Sequence, residues 1–120
     1  MNLTFEIRSL YVCVREMERA IKFYEELFGE KVFKKDEIYS VFVINNFRYG
    51  LFANEKMNEL KVWGNNCLPS FEVNDIDLVQ KKLELLKCPI IFPLTIIGDN
   101  KVLEFLDSEG NAVEVTCSIY

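Results

Sequence analysis

Residues 14–29, VREMERAIKFYEELFG, decide how the rest of the chain is read. Met17, Ala20, Ile21, Tyr24, Leu27 and Phe28 recur at helical spacing, and Glu18, Arg19, Lys22, Glu25 and Glu26 take the opposite side. This pattern predicts an amphipathic helix with one face on a core. Gly29 stops it, since glycine adopts the left-handed backbone that ends helices. Upstream, FEIRSLYVCV (5–14) is rich in β-branched and aromatic residues and predicts a strand. Its alternation puts Leu10, Val12 and Val14 on one face and Ile7, Ser9, Tyr11 and Cys13 on the other.

Downstream, strands are expected at 31–35, 39–44 and 48–53, the last two joined by an Asn45-Asn46 turn that tolerates left-handed backbone. A polar stretch at 54–66, interrupted by Leu60, Val62 and Trp63, reads as a linker. The pattern then recurs. Residues 68–73 predict a strand, Asn74 or Asp75 caps a helix with Ile76, Val79, Leu83 and Leu86 on one stripe, and Cys88-Pro89 ends it. Strands at 90–97, 102–106 and 112–117 follow, separated by the turns at 98–100 and 108–111. An offset of 59 residues sets Val14 on Val73, Glu16 on Asp75, Ala20 on Val79 and Leu27 on Leu86, which predicts an internal repeat.

The expected fold is therefore α+β: two βαβββ modules, 5–53 and 67–118, forming mostly antiparallel mixed sheets, each with its helix packed on one face. Short polar turns between successive strands favour antiparallel meanders, whereas parallel pairing needs long crossovers. About eight strands and two main helices are expected, within one domain spanning 1–120.

Composition narrows the function classes. The chain has 120 residues, half of them hydrophobic and 28% charged, which suits a packed globule. A net charge of −5 without a basic stripe argues against nucleic acid. No apolar run approaches the roughly 18 residues of a membrane span, and no secretory leader is evident, so a cytoplasmic location is expected. Cys13, Cys67, Cys88 and Cys117 include no CxxC pair, and there is no histidine, so neither the commonest general base nor an imidazole ligand is present.

Two motifs, with FEVNDID (71–77) between them, carry a family resemblance across nearly the whole chain. VREMERAIKFYEELFG resembles a V-x-D-x-x-x-A-x-x-F-Y-x-x-x-L-G run, and FLDSEGNAVEV (105–115) resembles F-x-D-P-x-G-N-x-x-E. Both are similar to motifs of the vicinal oxygen chelate superfamily, which includes glyoxalases, extradiol dioxygenases and bleomycin-resistance proteins. Glu16 stands where that family has Asp, and Ser108 replaces a proline; Ser108 is expected to close its turn by bonding backbone.

The resemblance implies a pocket between concave sheets, with metal-ligand positions falling on Ser9, Gly50, Leu68 and Glu114. Only Glu114 is a strong donor to a divalent ion, so no metal and no other cofactor is expected. Strand parity adds Ile7, Tyr11, Cys13, Arg48 and Phe52 to that face, and Ser70, Glu72, Ala112 and Thr116 in the second half, and Trp63 is placed at the pocket mouth or a subunit interface. The expected ligand-binding set is Ser9, Tyr11, Arg48, Phe52, Trp63, Leu68, Ser70, Glu72 and Glu114. Glu114 has three readings: structural partner of Arg48, ligand contact, or catalytic base. Cys13 has no histidine anywhere in the chain to activate it and is read as packing.

These residues predict a metal-independent binder of a small apolar or aromatic molecule, acting as a homodimer, as the resemblance implies. The alternative is a lyase or isomerase of the glyoxalase type using Glu114, with or without a divalent metal.

Overall fold

The computed structural model describes residues 3–4, 6–59 and 68–120. The expected role of Trp63, the thiol of Cys67 and most of the linker fall outside those residues. Among the described residues there are seven strands and two α-helices: β1 (Ser9–Cys13), α1 (Met17–Phe28), β2 (Tyr39–Ile44), β3 (Phe47–Phe52), β4 (Ser70–Glu72), α2 (Ile76–Leu85), β5 (Ile90–Ile97), β6 (Asn100–Leu106) and β7 (Ala112–Ser118). They form two sheets, ordered β1-β3-β2 and β4-β7-β6-β5. In each, the strand before the helix pairs in parallel with the last strand of its half, and the remaining pairs are antiparallel.

Three expected strands are shortened, the one at 68–73 to Ser70–Glu72. The run at 31–35 is reduced to one bridge, Lys34 with Val41. There the Val32 amide is taken by the Glu25 carboxylate at 3.0 Å, and the Phe33 and Lys34 amides share the Val41 carbonyl. A regular ladder cannot continue through amides diverted in this way. The first strand begins at Ser9, not at residue 5, because Ser9 pairs with Arg48 and β3 has already turned at Asn45-Asn46. Ile7 therefore lies beyond the strand, 84% exposed, and is not part of the concave face. The turn itself is as expected: Asn45 and Asn46 have φ of 47° and 69°, both left-handed, as the two-residue hairpin requires.

Helix α1 buries Met17, Ala20, Ile21, Phe23 and Tyr24, so the apolar stripe is wider than the heptad-like reading by Phe23. Gly29 closes it at φ 71°, its amide bonding the Glu25 carbonyl. Lys82 of α2 then donates to the Glu26 and Leu27 carbonyls, placing a cation at the negative end of α1. Val12, Val14, Tyr49, Leu51, Leu103, Phe105, Val113 and Val115 join both helices in one core, with Leu10, Phe71 and Val73 packed against it. The convex faces of both sheets thus share a single apolar interior, which holds the strand register: a one-residue slip would expose that whole set.

Helix α2 starts as read, with the Asp75 carboxylate accepting from the Leu78 amide at 3.1 Å. It ends before Cys88-Pro89. Lys87 turns left-handed at φ 58°, the Lys87 amide bonds the Glu84 carbonyl, and the Cys88 amide reaches back to Leu83. This is the paired bonding of a Schellman end, with lysine where glycine is usual. Lys87→Gly is expected to stabilise the protein by about 0.5–1 kcal/mol by removing the left-handed penalty. The test is a urea midpoint. A lowered midpoint would show that the lysine side chain contributes more than its backbone costs.

Candidate functional site

On the N-terminal sheet, pairing in register places Ser9 beside Arg48, Tyr11 beside Gly50, and Cys13 beside Phe52. These face away from the shared core. Ser9 and Arg48 are exposed, and Tyr11 is 48% exposed despite being aromatic. Tyr39 on β2 pairs with Phe52 and belongs to the same face. The rings of Tyr11, Tyr39 and Phe52 meet at centroid distances of 5.4–6.3 Å, two of the three contacts edge-on. Edge-to-face contact of this kind stabilises an aromatic patch that solvent still reaches.

Tyr39 was not among the expected site residues, and its position depends on Gly50. A Cβ built on Gly50 would overlap the Tyr39 hydroxyl and Cζ, so the phenol occupies the space a side chain would need. Gly50 lies diagonally across the pair from Tyr39, within reach of a long aromatic. The Asp36 carboxylate, accepting from the Ile38 and Tyr39 amides at 2.9 and 3.2 Å, sets the start of that strand. Those amides hold its carboxyl below the usual range.

On the C-terminal sheet, Ser70 pairs with Glu114 and Glu72 with Thr116. Ser70 Oγ donates to Glu114 Oε1 at 2.6 Å. Glu104 stands directly opposite Glu114 in the β6–β7 ladder, so this face carries three carboxylates: Glu72, Glu104 and Glu114. The expected Arg48–Glu114 ion pair is not formed. Each residue lies on a different sheet, Glu114 is engaged by Ser70, and among the described residues the Arg48 guanidinium takes part in no ion pair. Leu68, Ser70 and Glu72 line one groove of about 430 Å³ with Leu10, Phe47 and Tyr49, while Tyr11, Arg48, Phe52 and Glu114 lie outside it.

The four positions at which the resemblance implies metal ligands do not fit a divalent ion. Leu68 and Gly50 bring no donor, the Tyr39 ring fills the space above Gly50, and Glu114 already accepts from Ser70. Ser9 and one carboxylate fall short of the three or four protein ligands such ions take. Among the described residues, no three His, Cys, Asp or Glu side chains come together in a metal-binding group.

A second polar centre was read only as a turn. The 107–111 loop of the C-terminal half docks on the start of α1. Glu109, 2% exposed, accepts from the Arg15 and Glu16 amides at 3.0 and 2.9 Å, from Arg19 Nε at 2.7 Å, and from Ser108 Oγ at 3.0 Å. Ser108 thus bonds a carboxylate rather than backbone. Burial alone would raise the Glu109 carboxyl, but the Arg19 guanidinium and the amides outweigh it and hold the group below its ordinary value. Asp107, 5% exposed, accepts from the Tyr24 hydroxyl at 2.6 Å and from the Glu109 and Asn111 amides at 2.9 and 2.8 Å. Asn111 Nδ2 bonds the Cys13 carbonyl, and Tyr49 donates to Tyr24. A tyrosine on an otherwise apolar helical stripe was the available signal, because a buried hydroxyl needs a partner.

Burial and the Asp107 carboxylate push the Cys88 thiol up to about 11, so it stays protonated and unreactive near neutral pH. The 590 Å³ crevice at the start of α1 is lined by Arg15, Lys35 and Lys56 together with Glu16, Glu18, Asp36 and Glu37. Lys35 pairs with Glu18 at 2.9 Å, so part of that charge is internally compensated. No helix among the described residues is long and apolar enough to cross a membrane.

Residues 6–115 match the Glyoxalase/Bleomycin resistance protein/Dioxygenase superfamily. A glyoxalase/bleomycin resistance protein/dioxygenase family enzyme from Burkholderia phytofirmans PsJN superposes with a TM-score of 0.82 at 16% identity, over 96% of this chain and all of that one. The lactoylglutathione lyase from Agrobacterium tumefaciens gives 0.76 at 19% identity, over 96% and 95% of the two chains. A glyoxalase-related enzyme from Fulvimarina pelagi gives 0.78 at 12%, over 94% and 88%. Comparison with curated proteins found no match. The solved structures share the fold, and with a motif match spanning most of its length the chain belongs to the Glyoxalase/Bleomycin resistance protein/Dioxygenase superfamily.

Proposed function

We propose that the protein is a metal-independent binder of a small apolar or aromatic molecule, held on the concave faces and enclosed between two copies of the chain. The observation that carries this reading is the Tyr39 ring lying over Gly50, with Tyr11 and Phe52 beside it, on a face where the family would place a metal ligand. An exposed aromatic floor with few polar groups suits a small organic ligand. Dimerisation is supported by shape. Both concave faces open away from the common core, and the radius of gyration of 15.2 Å exceeds the roughly 13.5 Å of a closed globule this long.

Three measurements test this. Elemental analysis of protein purified without chelators is expected to find well under one equivalent of zinc, nickel, iron or manganese. About one equivalent, lost in Glu114→Gln, would overturn metal independence. Sedimentation at micromolar concentration is expected to give a dimer, and a strict monomer would remove the enclosing partner. Turnover of thiol–dicarbonyl adducts is expected to be absent, since Glu114 as a base would have to release Ser70 first. Glu114-dependent turnover would favour the lyase or isomerase reading.

A further inference from the structure

The aromatic floor is not uniform. Phe52 lies at one end of the N-terminal face, Tyr11 in the middle row beside Gly50, and Arg48 with its neighbour Ser9 at the other end. The Tyr39 ring starts in the Phe52 row and extends to Gly50, so its hydroxyl lies one same-face position from Arg48. Among the described residues, that hydroxyl makes no hydrogen bond and the Arg48 guanidinium forms no ion pair. The Arg48 charge nonetheless reaches the phenol. Burial raises the Tyr39 hydroxyl, and Arg48 opposes that rise.

A covering role alone accounts for the ring, because an aromatic lying on a strand glycine shields its backbone. It does not account for a hydroxyl placed one same-face position from a guanidinium that forms no ion pair among the described residues. We propose that Tyr39 Oη and Arg48 form the anion-recognising end of the concave site, and that its ligand is a planar aromatic carboxylate whose ring rests on Tyr11 and Phe52. The proposal rests on the binding function inferred above and adds the ligand's charge and orientation. A guanidinium offers paired donors matched to a carboxylate, and a phenol can supply a further one. The competing charge is on the other sheet, where Glu72, Glu104 and Glu114 would instead attract a cation.

Calorimetry with three probes of one shape decides between these: naphthoate, naphthylmethanol and naphthylmethylammonium. Wild-type protein is expected to bind naphthoate about tenfold more tightly than naphthylmethanol, the size of one charge-assisted hydrogen bond. Arg48→Gln and Tyr39→Phe should each remove most of that preference and leave naphthylmethanol within about twofold. Tyr11→Ala should weaken both. If naphthoate is not preferred, if its preference survives both variants, or if the ammonium probe binds best, the anion end is wrong; a Tyr11 effect would still uphold the binding site. If none of the probes binds at millimolar concentration, both the anion end and the aromatic site fall.

Discussion

Glu109→Ala is expected to lower the unfolding free energy by about 3 kcal/mol, read as a shift of the urea midpoint. The carboxylate is buried and serves the Arg15 and Glu16 amides, Arg19 and Ser108 at once. Hydrogen bonds to a charged group contribute about 1.5–3 kcal/mol each, but they share one acceptor and are not additive. Arg19 is half exposed and can be rehydrated, which limits the loss. The two amides lie at the start of α1, where Glu16 provides no side-chain cap of its own. Glu109→Gln should cost less, since its amide oxygen still accepts from backbone. A loss below about 1 kcal/mol for the alanine variant would show that water substitutes for the carboxylate.

The same residue sets an acid limit. Its carboxyl is depressed in the folded protein, so its contribution is fully present above the unfolded carboxylate value and is lost as pH falls through the folded value. Wild-type stability is therefore expected to decline below about pH 4.3, the ordinary glutamate range. The Glu109→Gln curve should be flatter there. Parallel curves would remove Glu109 from the acid response.

Asp107→Ala is expected to have an effect of about 4 kcal/mol, because it strands several buried donors together. Tyr24 would lose its acceptor, the Glu109 and Asn111 amides would lose theirs, and the loop presenting Glu109 would lose its internal bracing. Tyr24→Phe should cost about 2 kcal/mol, as Asn111 Nδ2 still serves the same Asp107 oxygen. Burial, then Tyr49 and Asp107, hold the Tyr24 hydroxyl well above its ordinary value. Its contribution is present in full below the unfolded tyrosine value, about 10, and is lost as pH rises through the folded one. Tyr24→Phe should thus flatten the alkaline side of the stability curve. An unchanged alkaline limb would assign that lability to another group.

Most of the local architecture is determined by the sequence alone. The stripe from Met17 to Phe28 specifies α1, Asp75 caps α2, and paired asparagines close the β2–β3 hairpin, because each depends on residues within a few positions of one another. Alternation along β1 and β4 also separates Leu10, Val12 and Phe71 from Ser9, Tyr11 and Ser70, since the helices leave only one apolar register. The motifs at 14–29 and 105–115 carry the family. Only the tertiary structure decides what those elements meet. It reduces 31–35 to a single bridge, since Glu25 on the preceding helix takes the Val32 amide. It seats Glu109 on amides more than 90 residues away. It assigns Glu114 to Ser70 rather than Arg48, and lays Tyr39 over Gly50. None of these has a period along the chain: the Glu25–Val32, Tyr39–Gly50 and Ser70–Glu114 pairings depend on how each half folds, and the Glu109 contacts form only when the two halves pack on one core.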